Sequence, residues 1–287
     1  MLYMILKILV KIENKCEYLK KYRKWDENVS KNIAIIIAGG SGKRMGYDVP
    51  KQFININEKP VIIYTLEAFE KLPQIDKIEV VCIKGWEDIL RQYLKKYDIK
   101  KVKWIVEGGN TGQESIRNGV YNLKNKVSNE DNIIIHDGVR PMLDEEIILD
   151  VIAKCNLYGN GVSSMPYNEQ IFVKNDDIST TKYIPRETLR RVVTPQAYKF
   201  ELLYKSYQEA FEKNIGISGS SYTNTMMVEL GHKLYFASGS DKNIKLTTQD
   251  NLCIFKAMLD IDENIIDRWY TIWIYLIYYK KTNLIHL

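Results

Sequence analysis

The sequence predicts an α/β protein with a doubly wound, mostly parallel sheet, and three observations support this prediction. From residue 32 onward, short apolar segments alternate with segments in which apolar residues recur at helical spacing. The segment at 33–38 is apolar throughout and rich in isoleucine, which is typical of a strand buried on both faces. Glycines or polar residues follow several of these segments, at the strand ends where such sheets bind ligands.

The amino-acid composition limits the classes of function that this protein can have. The 287-residue chain is 45% hydrophobic and 27% charged, which places it among globular proteins that bury a full core. Its net charge of +5 is modest and its cations form no blocks, so no nucleic-acid partner is implied, whereas an anionic small substrate suits this charge. Three histidines leave little material for a His-based metal site or a catalytic triad. Four cysteines without metal-ligand spacing indicate free thiols in a reducing cytoplasm, namely Cys16, Cys82, Cys155 and Cys253.

We expect three parts: an N-terminal extension at 1–31, a main domain at 32–260 and a C-terminal extension at 261–287. The first extension begins with an apolar segment that is interrupted by Lys7 and Lys11, is too short to span a bilayer and lacks a signal cleavage site. A helical extension is the favoured interpretation, and a basic amphipathic helix on a membrane surface is the alternative. The aromatic run WYTIWIYLIYY near the C-terminus is also shorter than a membrane span, so we expect a packed or partner-facing extension.

Regular alternation of strands and helices fills the first half of the main domain. After the first strand, the pattern predicts helices at 59–72, 86–97, 111–123 and 144–158, with strands at 75–83, 101–107 and 132–137 between them. In the second helix the apolar residues form one helical face, so we interpret them as core: Trp86, Ile89, Leu90, Tyr93, Leu94 and Tyr97.

The second half departs from this rhythm. Short β-like pieces at 161–166 and 170–174, next to the polar turn Asn175-Asp176-Asp177, predict a protruding β-hairpin arm at about 165–190 that mediates subunit contact. Beyond the arm, the pattern predicts a helix at 198–213, strands at 233–238 and 243–247, and a last helix at 248–260. Thr247 or Thr248 is the expected N-cap of the last helix.

A glycine-rich loop follows the first strand and gives the clearest hint of chemistry. Gly39, Gly40 and Gly42 let backbone N–H groups approach a phosphate closely, because no Cβ stands in the way. Three cations follow and are suited to neutralising a polyphosphate, namely Lys43, Arg44 and Lys51. Neither the P-loop spacing nor the dinucleotide-binding spacing is present, so an ordinary glycine turn with solvated cations stays open on this loop alone.

Two further strand ends carry residues suited to ligands. Asp137 ends the strand at 132–137, and a carboxylate facing a phosphate loop is what Mg²⁺ uses; Arg140 could hold this carboxylate or touch a phosphate. The alternative is that Asp137 only caps its turn. The turn at 108–115 opens a helix whose first amides suit a base or an anion, and a simple helix cap explains it equally well. We expect His136 to be a packed, hydrogen-bonded residue and not a base.

Five motifs, taken in order, make the sequence resemble the 2-C-methyl-D-erythritol 4-phosphate and ribitol-5-phosphate cytidylyltransferases. They are A-G-G-x-G-x-R-M-x(4)-P-K-Q, a later G-G…S, H-D-x-x-R-P, P-R…T-P-Q and N-I-K-x-T, and together they span the main domain. The resemblance implies a Rossmann-like nucleotidyltransferase fold and a reaction that transfers CMP from CTP to a polyol phosphate and releases pyrophosphate. It also implies Mg²⁺ as cofactor and a homodimer formed through the arm at 165–190.

The resemblance implies a role for each matching residue. The residues matching CTP contacts are Ala38, Gly39, Gly40, Gly42, Lys43, Gly109 and Ser115. The catalytic cations are Arg44, Lys51 and Lys245. The acceptor side comprises Arg140, Arg186 and Thr194, with Arg186 reaching a neighbouring subunit. The Mg²⁺ ligand is Asp137, and the nearest candidate for a second metal carboxylate is Asp241.

Three departures from the family pattern concern mainly acceptor recognition. Gly112 stands where arginine is common, Glu169-Gln170 stands where an Asp-Thr pair is usual, and the segment YTNT at 222–225 replaces an acidic segment. The A-G-G and H-D-G-V-R-P variants favour the ribitol type, which serves surface-polymer (teichoic acid) synthesis. The alternative is the methylerythritol type, which serves isoprenoid synthesis.

Other function classes stay as alternatives. A sugar-1-phosphate or molybdopterin-type nucleotidyltransferase shares the opening motif, but usually lacks the P-K-Q and T-P-Q pair. The lost acidic segment is compatible with a non-catalytic CTP-binding protein, and the two unusual ends with a membrane-associated scaffold. We rank these below a cytoplasmic transferase whose ends do not contact a membrane.

Overall fold

The computed structural model describes residues 30–40, 49–219 and 222–261. The strands in these ranges are β1 (Asn32–Ala38), β2 (Asn55–Ile56), β3 (Lys59–Pro60), β4 (Lys77–Cys82), β5 (Val102–Glu107), β6 (Asn132–Asp137), β7 (Asn160–Pro166), β8 (Ile171–Lys174), β9 (Thr180–Ile184), β10 (Arg190–Lys199) and β11 (Phe236–Ala237). The helices are α1 (Val61–Glu70), α2 (Glu87–Lys96), α3 (Gly112–Asn122), α4 (Glu145–Tyr158), α5 (Phe200–Lys213), α6 (Thr223–Glu229) and α7, which covers 249–261.

Seven strands form one central sheet in the order β11-β7-β10-β6-β1-β4-β5. The strand pairs β1–β4, β1–β6, β4–β5 and β7–β11 are parallel, and β10 runs antiparallel to both of its neighbours. The mostly parallel sheet predicted from the alternating segments is therefore confirmed. The carboxyl ends of β1, β4, β5 and β6 lie at one edge of the sheet, where one glycine turn follows β1, a second follows β5, and Asp137 ends β6.

Alternate residues of β1 pack on opposite faces of the sheet, which is why the sequence reads as a continuous apolar run. Ala34 and Ile36 are fully buried in one core cluster, which also contains side chains of α1, α2 and α4. Ile33 and Ile35 are fully buried in a second cluster with side chains of α3, α5 and α6. Helices thus cover both faces, as expected of a doubly wound sheet.

Several predictions about the second half were wrong. The segment at 161–166 belongs to β7 in the central sheet, where most of its residues are buried, and is not part of a hairpin. No strand forms at 243–247, because this segment crosses the strand ends to reach Asp137. The sequence reading also missed β10 and α6. Thr248 does cap α7, since its Oγ1 accepts a hydrogen bond from Asn251 N at 3.3 Å.

A two-stranded hairpin formed by β8 and β9 lies between β7 and β10 in the chain. It exposes large apolar side chains: Phe172 is 55% exposed, Tyr183 is 69% exposed, and Ile178 at the turn is 97% exposed. The expected contact of this segment with a second subunit stays a prediction.

The predictions for the two extensions fall almost wholly outside the described residues. Within the described ranges, no helix has both the length and the apolar character needed to cross a membrane. The described cysteines are free thiols, as expected, and two of them are buried in the core. Burial raises the pKa of both Cys82 and Cys155 to about 12, with the nearby Glu87 adding to the effect on Cys82, so neither thiol is a nucleophile.

Candidate active site

Two adjoining cavities open at the carboxyl ends of β1 and β6. The first, which we call the glycine-side cavity, measures about 500 Å³ and is lined by both glycine turns and Lys51. The second, which we call the threonine-side cavity, measures about 220 Å³ and is lined by Thr194, Arg140 and residues of 222–224. The two cavities share five lining residues, namely Ile37, Ile116, Asp137, Tyr222 and Lys245.

The two glycine turns touch each other directly. A Cβ added to Gly39 would lie 3.0 Å from Ser115 Oγ and 3.4 Å from Gly108 Cα, so a larger residue would force the turns apart. The buried Gln52 supports the first turn, because its Nε2 donates hydrogen bonds to Ala38 O at 2.7 Å and to Gly40 O at 3.1 Å. The glycine turn after β1 is therefore a supported structure and not a loose connection.

The second turn is both a helix cap and a cavity wall. Thr111 caps α3 by accepting a hydrogen bond from Glu114 N at 3.0 Å, which is the simple capping interpretation weighed from the sequence. The buried Ser115 Oγ accepts from Gly109 N at 3.0 Å and donates to Thr111 O at 2.9 Å. Ser115 thus fixes the turn, while Gly109 and Ser115 both line the glycine-side cavity.

Asp137 is the centre of a small charge cluster. Its Oδ1 accepts a hydrogen bond from Lys245 Nζ at 2.9 Å, and its Oδ2 accepts one from Arg140 Nε at 2.9 Å. The Thr194 hydroxyl accepts from Asp137 N at 3.2 Å. Burial alone would raise the pKa of the Asp137 carboxyl, but the Lys245 and Arg140 cations outweigh it and hold the pKa well below its usual range. Asp137 is therefore a carboxylate at every pH of interest.

His136 is a packed residue, as predicted from the sequence. It is fully buried, its Nε2 shares a hydrogen bond with Arg140 O at 3.1 Å, and its ring lies 5.4 Å from that of Phe69. Burial lowers the pKa of His136 to about 4, so the ring is neutral at physiological pH. Its Nδ1 has no hydrogen-bond partner among the described atoms and faces the core, which leaves the ring no route to act as a base.

The donor set fits a Mg²⁺ ion that is completed by phosphate oxygens. Mg²⁺ commonly uses one or two carboxylates together with substrate phosphates, and Asp137 supplies one carboxylate at the junction of the cavities. In the described part of the chain, no group of three or more His, Cys, Asp or Glu residues forms a complete protein cage. The structure does not support Asp241 as a second ligand, because its carboxylate pairs with Arg191, is 77% exposed and lines neither cavity.

The structure brings most of the sequence-predicted site residues together. The predicted residues that line the two cavities are Ala38, Gly39, Gly40, Lys51, Gly109, Ser115, Asp137, Arg140, Thr194 and Lys245. Gly42, Lys43 and Arg44 lie outside the described residues. Arg186 lies on the arm side, where its NH1 donates to Asn168 O at 3.1 Å, and it lines neither cavity of its own chain.

Several residues at the site were not predicted. Gln52 and Gln196 stand inside the P-K-Q and T-P-Q motifs, so the motifs themselves carried the signal. Tyr222 and Asn224 fall in the segment that departs from the family pattern, and both line the threonine-side cavity. The sequence pattern relates this segment to acceptor recognition but gives no residue in it a role.

A mostly parallel α/β sheet with a supported glycine turn, clustered cations and a strand-end carboxylate is the arrangement expected of a nucleotidyltransferase. The chain belongs to the 2-C-methyl-D-erythritol 4-phosphate cytidylyltransferase (IspD) family, whose model matches residues 32–261. It is therefore a member of a family of enzymes that transfer a cytidylyl group. The match covers 230 of the 287 residues and includes every helix and strand described above.

Individual relatives refine this placement. The chain is 58% identical over 226 residues to a ribitol-5-phosphate cytidylyltransferase of Lacticaseibacillus paracasei, covering 79% of this chain and 97% of the relative. It is 37% identical over 236 residues to a 2-C-methyl-D-erythritol 4-phosphate cytidylyltransferase of Clostridium novyi, covering 81% and 98%. A solved 4-diphosphocytidyl-2C-methyl-D-erythritol synthase from Anaerococcus prevotii is similar with a TM-score of 0.69 at 25% identity, covering 80% of this chain and 99% of that structure.

Proposed function

We propose that this chain transfers CMP from CTP to ribitol 5-phosphate and releases pyrophosphate. The observation that carries the reaction is the sharing of Asp137 and Lys245 by two adjoining cavities, since a group transfer needs two substrates to meet at one charged junction. The choice of acceptor follows from the 58% identity to a ribitol-5-phosphate cytidylyltransferase over nearly all of that relative.

The glycine-side cavity suits CTP. Backbone around Gly39 and Gly40 lies open to a phosphate chain, and Lys51 lines the same cavity. Gly109 lines the same cavity, where the cytosine and ribose would contact the start of α3. Gly42, Lys43 and Arg44, outside the described residues, complete the proposed triphosphate contacts.

The threonine-side cavity suits the polyol phosphate. Arg140 and Lys245 supply positive charge for its phosphate, and the hydroxyl of Thr194 and the amide of Asn224 supply neutral polar groups for its hydroxyls. An oxygen of the acceptor phosphate forms a bond to the α-phosphorus of CTP, and the bond from that phosphorus to the pyrophosphate oxygen breaks. The electron pair leaves with pyrophosphate, so positioning and cations, with no covalent intermediate, carry this step.

Mg²⁺ is the proposed cofactor, and Asp137 is the residue that would hold it. When bound, the ion neutralises phosphate charge and polarises the phosphoryl group. Arg140 and Lys245 orient the carboxylate in the present arrangement. Removal of divalent ions with EDTA should abolish pyrophosphate release, and Mg²⁺ should restore it.

A homodimer is proposed to complete the acceptor side. Arg186 is 56% exposed at its side chain and lines neither cavity in its own chain, which is why we assign it to the acceptor site of a second copy. The exposed apolar side chains of the β8–β9 hairpin are suited to such a contact.

The acceptor is tested by a pyrophosphate-release panel with CTP and Mg²⁺. The acceptors are the phosphates of ribitol, methylerythritol, arabinitol, ribulose and glycerol, and ribitol 5-phosphate should give the highest kcat/KM. A preference for methylerythritol phosphate would establish the second candidate, which the 37% identity to the Clostridium novyi enzyme favours. CTP binding without pyrophosphate release for any acceptor would instead indicate a non-catalytic CTP-binding protein.

A further inference from the structure

We propose that Tyr222 is a positioning residue for the transfer: its ring forms the wall between the two cavities and holds Lys245 at their junction. This proposal rests on the proposed function for its kinetic part. Tyr222 belongs to the 222–225 segment that departs from the family pattern, and the sequence motifs gave it no role.

The placement of the ring supports this role. Tyr222 lines both cavities and is 50% exposed, so one side of the ring faces the space where substrates meet. Lys245 Nζ lies 5.4 Å from the centre of the ring, within the range of a cation–π contact. The same ammonium is 2.9 Å from Asp137 Oδ1. Lys245 is therefore held between a carboxylate and an aromatic face.

Gly112 leaves room for this ring. A Cβ built on Gly112 would lie 3.9 Å from Tyr222 Cε1, which is ordinary contact distance, so a longer side chain at 112 would compete with the ring for the same space. Gly112 and Tyr222 are two of the positions that depart from the family pattern, and here they are neighbours, because the missing Cβ of Gly112 leaves the space next to the Tyr222 ring. The two departures therefore form one local arrangement.

A bridge of buried hydrogen bonds connects the segment that holds Tyr222 to the start of α3, which lines the glycine-side cavity. The hydroxyl of Tyr207 donates to Gln113 Oε1 at 3.0 Å and lies 2.7 Å from Thr223 Oγ1. Gln113, Tyr207 and Thr223 are all 3% exposed or less. Because Gln113 follows Gly112 and Thr223 follows Tyr222, this bridge connects the residues next to these two neighbouring positions.

The backbone of Tyr222 is also held locally. Its N–H donates to Thr225 Oγ1 at 2.7 Å, and the Thr225 hydroxyl donates back to Tyr222 O at 2.9 Å. Tyr222 is therefore suited to directing its half-exposed side chain into a cavity, because hydrogen bonds fix both its own backbone and the side chain of Thr223. The consequence is that loss of the ring should release Lys245 without unfolding the site.

The kinetic test is a double-mutant cycle between Tyr222→Ala and Lys245→Met. Tyr222→Ala alone should lower kcat/KM for the acceptor about tenfold, the size of a partly buried cation–π contact. Tyr222→Phe, which keeps an aromatic face, should retain most of the wild-type value. In the Lys245→Met background, Tyr222→Ala should have no further effect, because the ring then has no ammonium to position. Additive losses would overturn the proposal.

A second measurement does not depend on activity. The rate at which an amine-acylating reagent modifies Lys245, measured by mass spectrometry, should rise several-fold in Tyr222→Ala and stay unchanged in Tyr222→Phe. Lys205 on α5 serves as the internal reference, and Tyr158→Ala is the matched variant, since Tyr158 is 45% exposed and lines neither cavity. An unchanged Lys245 rate in Tyr222→Ala would overturn the proposal even if the acceptor were misassigned. Failure of the proposed function would be seen separately, as absent turnover in the wild-type protein.

Discussion

The carboxylate of Asp137 and the ammonium of Lys245 lie 2.9 Å apart although 108 residues separate them in the chain. Asp137 ends β6 at the centre of the sheet, and Lys245 lies in the irregular segment that leads to α7. Their ion pair joins the first and last parts of the domain, so the charged junction of the two cavities forms only when both parts have folded together.

Replacement of Lys51 by alanine should abolish most activity and leave the fold intact. Lys51 lines the glycine-side cavity, and removal of one cation from a crowded polyphosphate site typically costs a factor of about 100 or more in kcat. Pyrophosphate release and thermal unfolding measure the two effects. Lys205→Ala, which removes only a surface ion pair with Glu201, is the control. Near-normal turnover of Lys51→Ala would contradict the proposed role.

Replacement of Gln52 by glutamate should weaken CTP binding. The substitution keeps the size of the side chain but replaces the Nε2 donor that holds Ala38 O and Gly40 O with an acceptor. Gly40 O then loses the Gln52 donor, and the buried Ala38 O keeps its hydrogen bond from Ile83 N but faces a carboxyl oxygen, which should lower the free energy of unfolding by about 1 to 3 kcal/mol. Calorimetric titration with CTP should show a higher Kd. An unchanged Kd in the variant would mean that Gln52 does not organise the first glycine turn for its ligand.

Replacement of Arg186 by alanine should raise KM for the acceptor much more than KM for CTP. If Arg186 acts in a neighbouring subunit, mixing the Arg186→Ala and Lys51→Ala proteins should restore activity at an acceptor concentration far below KM, where each variant alone has little. About a quarter of the wild-type activity is expected, because half of the dimers are then mixed and each of these has one intact site. Subunit exchange is checked by native mass spectrometry. No recovery in a fully exchanged mixture would place Arg186 in its own chain's site or outside catalysis.

Stability should depend on pH through Glu79, a buried residue of β4. Its Oε2 accepts from Asn122 Nδ2 at 2.6 Å, while Oε1 has no partner among the described atoms. Burial raises its pKa to about 8 from 4.5, against the opposing effects of Asn122 and Lys126. Because the folded-state pKa is the higher one, the stabilisation is complete below pH 4.5 and is lost as the pH rises to about 8.

Glu79→Gln should remove this dependence. Urea unfolding between pH 5 and pH 8 tests this. The free energy of unfolding of the variant should rise relative to that of the wild type by more than about 1 kcal/mol over this range, since one pKa unit corresponds to about 1.4 kcal/mol. Glu201→Gln, an exposed change on α5, should show no such trend. Parallel pH curves for Glu79→Gln and the wild type would refute the buried-carboxyl explanation.

The first half of the fold could be predicted from the sequence because its signals are local. The face of α2 from Trp86 to Tyr97 and the isoleucine run of β1 each carry a period that belongs to one element. β10 could not be predicted in the same way. It starts with two arginines, contains Pro195, and becomes a strand because β6 and β7 pair with it on both sides. Such tertiary pairing leaves no period in the sequence.

The candidate site was predictable where a motif stayed contiguous. The glycine turn, Lys51 and Asp137 lie in motifs that can be recognised one at a time. The placement of Tyr222 beside Gly112 and Lys245 depends on three distant segments, so no single motif contains it. Asp241 was chosen for its position near a motif, and the structure shows that nearness along the chain did not bring it to the cavity.

The two cavities come from different portions of the polypeptide. Apart from the shared residues, the glycine-side cavity draws mainly on 38–40, 51–52 and 109–115, and the threonine-side cavity on 192–196 and 223–224. Changes that alter the acceptor can therefore accumulate in the second half while the nucleotide half stays under separate selection. Divergence of this kind would let one ancestral scaffold supply both isoprenoid and cell-surface metabolism, with the inheritance of acceptor choice confined to a short stretch of coding sequence.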